Sequence, residues 1–466
     1  MAARLTAFLV AIIVGISVVA GLIVGAQREA EPAVDVLVYN GRVYTGDPNA
    51  PIAEAVAIRG NRILKIGSNR EIKRLRRNAA TVIDAHGGSI LPGFADTYVV
   101  VPGQADAIAG IHRLGLTSVG AVVDDLKALD ALAALATTDH PIRIAAALKT
   151  TLPLTGATRR DIDARRTQGA NALVRLDALA IDVVLPGPKP ARPAGSRRPV
   201  PPLLPNDQQQ ALLELDRAGW PLVLHVDDER ELSVALDVVA RLIETNTAMT
   251  APRRHRVVLA HPMALDTARL ATLGLTVAMP LPATWTGVAV DPAVAPATVA
   301  SAAAAGDTAL TATAPAPVAD PAILPFSFPL PEGVRLVMGS EIVADPRLGL
   351  QALIGGALAP ATTPATDAAA GTESTPTADT DADAAPVDRQ LVIGALATLT
   401  TAAANALGAH AEWGTLEPGR LADLVVLSAD LFELPASHLL DAVVIATVVD
   451  GKVVYDRDTD TPPPTP

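Results

Sequence analysis

Residues 221–261 read PLVLHVDDERELSVALDVVARLIETNTAMTAPRRHRVVLAH. Pro221–Val226 and Val257–His261 are short apolar runs, and Glu229–Glu244 between them places its apolar residues at helical spacing. Strands buried on both faces read as continuous apolar runs, so this stretch describes a β-α-β unit of a parallel sheet. The same alternation extends outward in both directions. Candidate strands are Ile90–Val100, Ser118–Val123, Ile142–Ala147, Leu179–Leu185, Pro221–Val226, Val257–His261, Thr276–Met279 and Val334–Gly339, with further helical stretches at Gln208–Ala218 and Leu265–Leu273. Strand–helix alternation at this count predicts an α/β fold, a (β/α)8 TIM-like barrel. An open doubly wound sheet is the alternative, but Gly110, Gly115 and Gly120 do not follow a nucleotide-binding spacing and no Walker sequence occurs.

Outside this core, Val34–Tyr44 and Val443–Tyr455 each set two apolar runs around a turn dipeptide, Asn40-Gly41 and Asp450-Gly451. Both dipeptides favour a two-residue hairpin turn, so the two chain ends are expected to build one small β-domain together. Pro186–Pro205 holds eight prolines in 20 residues, and Pro282–Pro325 is rich in Ala, Thr and Pro; both are expected to be long loops. Between Ala359 and Asp388 there are six acids and no base, half of the net charge of −12, among Ala, Thr and Pro. Such a composition buries too little apolar surface to offset its ordering entropy, so a disordered insertion is expected there.

Thr6–Ala26 is a run of 21 uncharged residues, long enough as a helix to span a bilayer core. Its length suits an uncleaved transmembrane anchor, while Val24-Gly25-Ala26 also suits signal-peptide cleavage; either reading exports the remainder. The expected division is this segment at 1–30, the first half of the β-domain at 31–90, the barrel at 91–410 with its insertion at 359–388, the second half of the β-domain at 411–458, and a disordered tail at 459–466.

Composition narrows the chemistry. The absence of cysteine excludes disulfides, thiolate metal sites and cysteine nucleophiles. A pI near 5.1 argues against nucleic acid as a partner, and the basic run at Lys73–Arg77 reads as a solvated helix face. No Gly-x-Ser-x-Gly marks a serine hydrolase.

Four segments carry a family likeness. Leu37–Thr45, Ala55–Ile63 and Val82–Asp96 (VIDAHGGSILPGFAD) resemble the opening of the amidohydrolase superfamily, most closely the amidohydrolase family 3 branch that includes N-substituted formamide deformylases. Gly414–Leu427 (GTLEPGRLADLVVL) is similar to the closing motif of that superfamily. The likeness implies a metal-dependent hydrolase barrel flanked by a split β-domain and acting on non-peptide carbon–nitrogen bonds.

The resemblance also implies a ligand set, and the sequence departs from it. Where the first strand should carry His-x-His it reads Tyr98-Val99-Val100, and Asp182 stands where a lysine that can be carbamylated is usual. His225 keeps the fifth-strand ligand, Leu259 stands at the sixth-strand position, and Glu341 replaces the eighth-strand aspartate. Tyrosine is a poor zinc ligand at neutral pH and valine cannot coordinate. No firmly bound cofactor is therefore expected. One repair remains open, a single zinc held by His225 and His261 with Asp182 and Glu341 at the mouth, and so does a metal-free hydrolase using Glu341 or Asp182 as base.

Asp96, Asp227 and Asp228 are also expected near the mouth, facing water or a substrate amine. His86 is expected at the β-domain junction, and His112, His140, His255, His410 and His438 are expected at the surface. An active relative would take a small amide or cyclic amide. The competing expectation is a pseudoenzyme, a non-catalytic binding or scaffold protein of the cell envelope. The chain's 12 aromatic residues give it few walls for a small-molecule site, which favours that reading.

Overall fold

A computed structural model describes residues 33–47, 53–101, 105–137, 139–168, 172–183, 204–249, 252–261, 263–280, 328–358 and 387–460. The expected anchor or signal segment, the two long loops and nearly all of the acidic insertion lie outside these residues. Among the described residues no helix is long and apolar enough to cross a membrane.

The chain enters through β1 (Val34–Tyr39), β2 (Arg42–Val43), β3 (Ala55–Arg59), β4 (Arg62–Gly67), β5 (Ala79–Asp84) and β6 (Ser89–Pro92), with the short helix α1 (Asn69–Ile72) before β5. It leaves through β16 (Leu424–Leu427), β17 (Val444–Val449) and β18 (Lys452–Asp456). One sheet has the order β4-β3-β1-β5, and a five-stranded sheet has the order β18-β17-β16-β6-β2, so the latter combines both ends of the chain. Asp450 and Gly451 have φ of 51° and 75°, which is the left-handed pair that a two-residue hairpin needs, and β17 and β18 pair antiparallel around them.

Asn40-Gly41 behaves differently from the expectation. Asn40 also has a positive φ, 58°, but β1 and β2 belong to different sheets. The dipeptide turns the chain from one sheet to the other and forms no hairpin; a local turn preference does not decide which strands pair. The basic run at Lys73–Arg77 lies in a 3-10 helix, Lys73–Asn78, whose Lys73 and Arg76 sit over the Tyr39 ring, at 4.4 Å and 5.4 Å.

Between the two ends lies the barrel: β7 (Phe94–Val100), β8 (Leu116–Val123), β9 (Arg143–Lys149), β10 (Val174–Asp182), β11 (Leu222–Val226), β12 (Arg256–Leu259), β13 (Thr276–Met279) and β14 (Arg335–Met338). All neighbours are parallel, in sequence order. The ring closes through β15 (Glu341–Ile342), which continues the eighth strand after Gly339-Ser340 and pairs with β7. The run predicted as one strand, Ile90–Val100, is two: β6 pairs with β16 in the five-stranded sheet, and Gly93 separates it from the first barrel strand. Likewise β10 starts at Val174, ahead of the predicted Leu179, because its first residues pair with β9 through a bulge at Leu176–Ala178.

Helices α2 (Ala105–Arg113), α3 (Leu126–Leu135), α4 (Gly156–Gln168), α5 (Asn206–Arg217), α6 (Glu229–Thr245) and α7 (Thr267–Leu273) follow β7 to β12 in turn, and α8 (Pro346–Leu358) and α9 (Arg389–Leu399) follow β15. Aspartates start several of them. Asp125 accepts from the Ala128 N–H, Asp228 from Arg230 and Glu231, and Asp388 from Gln390 and Leu391, each satisfying donors that the first helical turn leaves without partners.

Side-chain size separates the two faces of the barrel wall. Leucine, valine and isoleucine fill the layer between strands and helices. The interior holds Tyr98, Ala147, Ala178, Ala180, Val223, Val258, Ala278 and Val337, mostly small residues. That space is filled from the strand N-terminal side by α10 (Thr401–Ala406), whose Ala402 and Ala406 join the same interior cluster.

Candidate functional site

In a parallel barrel the C-terminal strand ends face one mouth, where side chains from different strands can meet. Alternate residues of each strand point inward. On β10 the interior positions Ala178 and Ala180 lead to Asp182, and on β11 the interior Val223 leads to His225. Asp182 and His225 are paired in register. The structure therefore brings these two predicted residues together, with His225 Nδ1 3.8 Å from an Asp182 carboxylate oxygen and 3.8 Å from Asp227.

Two neighbours complete this arrangement: Lys149, which the sequence reading did not single out, and Tyr98, which it named only as the residue standing at the His-x-His position. Lys149, at the end of β9, sets its ammonium 3.4 Å from Asp182. Tyr98 stacks on His225 with ring centroids 5.8 Å apart and planes inclined by 15°. Tyr98 is buried, and Gly339 makes room for it, since a Cβ there would stand 2.9 Å from the Tyr98 Cβ. A signal for Lys149 was present in the sequence, since it ends an apolar run, and Tyr98 is one of two aromatic residues of the first strand, with Phe94. A cavity of about 250 Å3 adjoins Lys149 and Asp182, bounded by Thr150, Leu152, Leu204, Leu212 and Leu224.

His261 does not belong to this group. It was expected to share the side of Leu259, and Leu259 packs in the helix-side layer, whereas Val258 is the interior residue level with His225. β12 ends at Leu259, and His261 lies beyond it, exposed. A reading that places Leu259 at a ligand position is thus out of phase by one residue. Glu341 is placed by its backbone at the seam, opposite Val99; its side chain lies outside the described atoms.

Three further expectations are corrected by burial. Asp96 does not face water: it is 3% exposed and accepts from the backbone N–H groups of Tyr98 and Ser340 and from the Ser340 hydroxyl. Burial pushes its carboxyl up to about 6, with the bonds from Ser340 and Tyr98 opposing. Its role is to tie the first strand to the eighth where β14 gives way to β15. His112 and His255, expected at the surface, are 2% and 4% exposed. His112 Nε2 meets the Pro141 carbonyl at 3.1 Å and burial lowers its pKa to about 4. His255 joins Asp216 at 3.0 Å, together with Arg253 and Asn246. Although burial opposes it, these partners hold the Asp216 carboxyl well below the usual carboxylate range. Asp228 is a helix cap rather than a mouth group.

A zinc centre needs three or four donors converging within about 2.3 Å of one point. Among the described residues no group of three or more His, Asp or Glu side chains is placed to hold a metal ion. Asp182 is already faced by the Lys149 ammonium, a resident cation where a metal would need a free carboxylate. The described donors do not fit the metal centre that the resemblance implies. What the mouth offers is a row in which the carboxylates of Asp182 and Asp227 alternate with the Lys149 ammonium and the His225 imidazole, beside the Tyr98 ring.

Residues 392–455 match the model of the amidohydrolase family. The chain is 41% identical over 71 residues to a 5-methylthioadenosine/S-adenosylhomocysteine deaminase of Symbiobacterium thermophilum, covering 13% of this chain and 16% of that protein. It is 37% identical over 65 residues to the protein LONG AFTER FAR-RED 3 of Arabidopsis thaliana, covering 14% and 11%. These matches thus span less than a fifth of either curated relative.

The fold likeness is broader. A zinc-bound adenosine deaminase from Xanthomonas campestris superposes with a TM-score of 0.54 at 16% identity, over 91% of this chain and 93% of that one. E. coli guanine deaminase superposes with a TM-score of 0.52 at 14% identity, over 92% and 100%. The closing segment is thus similar in sequence to the amidohydrolase family, and the barrel fold with its split β-domain is shared along nine-tenths of the chain.

Proposed function

We propose that this amidohydrolase-fold protein has lost the metal-dependent hydrolysis of carbon–nitrogen bonds and works as a binding protein through its barrel mouth. The observation that carries this reading is the Tyr98–His225 stack in the interior, at a first-strand position where the resemblance calls for a ligand histidine. A phenol ring packed on the retained histidine takes the space in which a second imidazole would meet it. Lys149 beside Asp182 supports the same reading, because it supplies positive charge from the chain itself.

A ligand for this mouth is a small polar molecule with both donors and acceptors, matching a row in which carboxylates alternate with an ammonium and an imidazole. The uncharged run Thr6–Ala26 supports an envelope or membrane location for this activity. Separating membrane from soluble fractions tests that part.

The central test is to purify the protein without chelators, measure bound metal per chain, assay amide and cyclic-amide hydrolysis, and repeat both with His225→Ala. The expected result is metal well below one ion per chain, unchanged by the substitution, and no turnover. One zinc per chain that is lost in His225→Ala, accompanied by hydrolysis, overturns the proposal in favour of a repaired mononuclear enzyme. Hydrolysis without metal that depends on Asp182 overturns it in favour of acid–base catalysis.

A further inference from the structure

Away from the barrel mouth, a trough of about 160 Å3 runs along one face of α9, between that helix and the five-stranded sheet. Its helix side is formed by residues spaced one turn apart, from Arg389 through Ile393 and Leu396 to Thr400, a span of roughly 16 Å at 1.5 Å per residue. Its sheet side includes Val43, Leu91 and Phe432. The two ends differ in charge, since Arg389 stands at one and Asp47 lines the other with Thr45 and Thr401.

The Arg389 end is built from several parts. Tyr44 and Phe432 stack with centroids 3.8 Å apart and planes inclined by 22°. The Arg389 guanidinium lies over both rings, 5.3 Å and 4.8 Å from their centres. Among the described residues no carboxylate forms an ion pair with it. The negative group nearby, Asp430, is buried behind the rings and is engaged elsewhere: it accepts from the Tyr44 hydroxyl at 2.9 Å and from the Phe432 N–H at 3.1 Å. Burial first, and Asp430 second, push the Tyr44 hydroxyl above its ordinary pKa, so this wall stays neutral. Arg389 also faces the Tyr44 hydroxyl and opposes that shift, but a planar cation lying over aromatic rings keeps its other N–H groups for a planar anion, the geometry that selects carboxylates.

We propose that this trough binds a compact linear monocarboxylate, with the acid group on the edge of Arg389 and the hydrocarbon chain lying on Ile393, Leu396, Leu91 and Phe432. A volume of about 160 Å3 drawn out along the helix suits a short hydrocarbon chain. Asp47 at the far end disfavours a second anionic group, so monoacids are selected over diacids.

The test uses the full-length protein and isothermal titration with hexanoate, octanoate, hexanol and the diacid suberate. Ile393→Trp, which fills the trough, serves as the blank for non-specific uptake. Hexanoate or octanoate is expected to bind, Arg389→Gln to weaken that binding at least tenfold while leaving the weaker binding of hexanol unchanged, and suberate to bind at least tenfold less well than octanoate. Thermal melts confirm that both variants fold; if Ile393→Trp does not, Ala397→Phe replaces it on the same helix face. Equal binding of hexanoate and hexanol, binding undiminished in the filled variant, or no binding of any acid to the wild-type protein each overturns the proposal.

Discussion

The two ends of the barrel handle charge in opposite ways. At the strand N-terminal end the charged groups are buried and tightly partnered. Arg143 donates to Asp423 at 2.5 Å and 3.1 Å and to Asp450 at 2.9 Å, clamping the closing hairpin onto the third barrel strand. Burial opposes the Arg143 charge, but the two aspartates outweigh it and raise its pKa above the ordinary value. Arg254 grips Asp177 through two bonds of 2.9 Å, and the fully buried Arg256 donates to the last carbonyl of α10 at 2.6 Å. At the C-terminal end, Lys149, Asp182, His225 and Asp227 stand 3.4–3.8 Å apart, and Lys149, Asp182 and Asp227 are 53%, 42% and 67% exposed. In this architecture the first end serves stability and the second serves chemistry. The protein keeps the first with dense hydrogen bonding, in which the buried Nε of Arg256 lacks a partner, and holds the second more loosely.

The largest effect that sharpens this contrast comes from the closed end. Asp423→Ala leaves Arg143 buried without its main partner and is expected to cost roughly 3–5 kcal/mol of unfolding free energy, measured by denaturant titration. A cost below about 1 kcal/mol breaks the comparison.

Titration distinguishes the ends next. The Asp96 carboxyl is raised to about 6 in the folded protein from an ordinary 3.8, so its contribution favours the fold at low pH and is lost as pH rises through about 6. Asp96→Asn keeps an acceptor for the Tyr98 and Ser340 N–H groups and is expected to remove that decline between pH 4 and 6. At the other end His112 is lowered to about 4 from 6.5, so its contribution is complete above pH 6.5 and is lost as pH falls towards 4. His112→Gln is expected to remove that loss. Stability measured against pH for both variants yields slopes of opposite sign if each burial is as described.

The smallest effect belongs to the mouth. His225→Ala removes two imidazole–carboxylate contacts of 3.8 Å and one ring contact, and is expected to change stability by less than about 1 kcal/mol. A loss comparable to that of Asp423→Ala shows instead that the mouth is part of the frame.

The barrel was legible because its strands are apolar runs buried on both faces and its helices carry the 3.6-residue period, two signals that survive sequence drift. The hairpin at Asp450-Gly451 was legible for a local reason, since both residues need positive φ. Asn40 meets the same local condition but sits at a corner between sheets, a property of pairing partners far along the chain. The Asp182–His225 pair could be anticipated because the family likeness puts both at ligand positions and the C-terminal parts of barrel strands face one mouth. Leu259 and His261 were misplaced because a side chain's face depends on register, and one residue of error reverses it. Asp96, His112, His255 and the arginines at the strand starts gave no sign of burial, since residue type alone argues for the surface and only the assembled partners reverse that preference.

The five-stranded sheet has a consequence for how the chain is made. β6, which leads directly into the first barrel strand, pairs on one side with β16, and Ser89 at its start is bonded to Leu431 across 342 residues of sequence. During synthesis this edge emerges early and waits for nearly the whole remaining chain before its partner leaves the ribosome. Every other strand pair of the barrel is made with a near neighbour in sequence, save the seam between β15 and β7. The β6 edge therefore stays open to pairing with other strands until the closing segment has been made, an interval in which off-pathway association competes with folding.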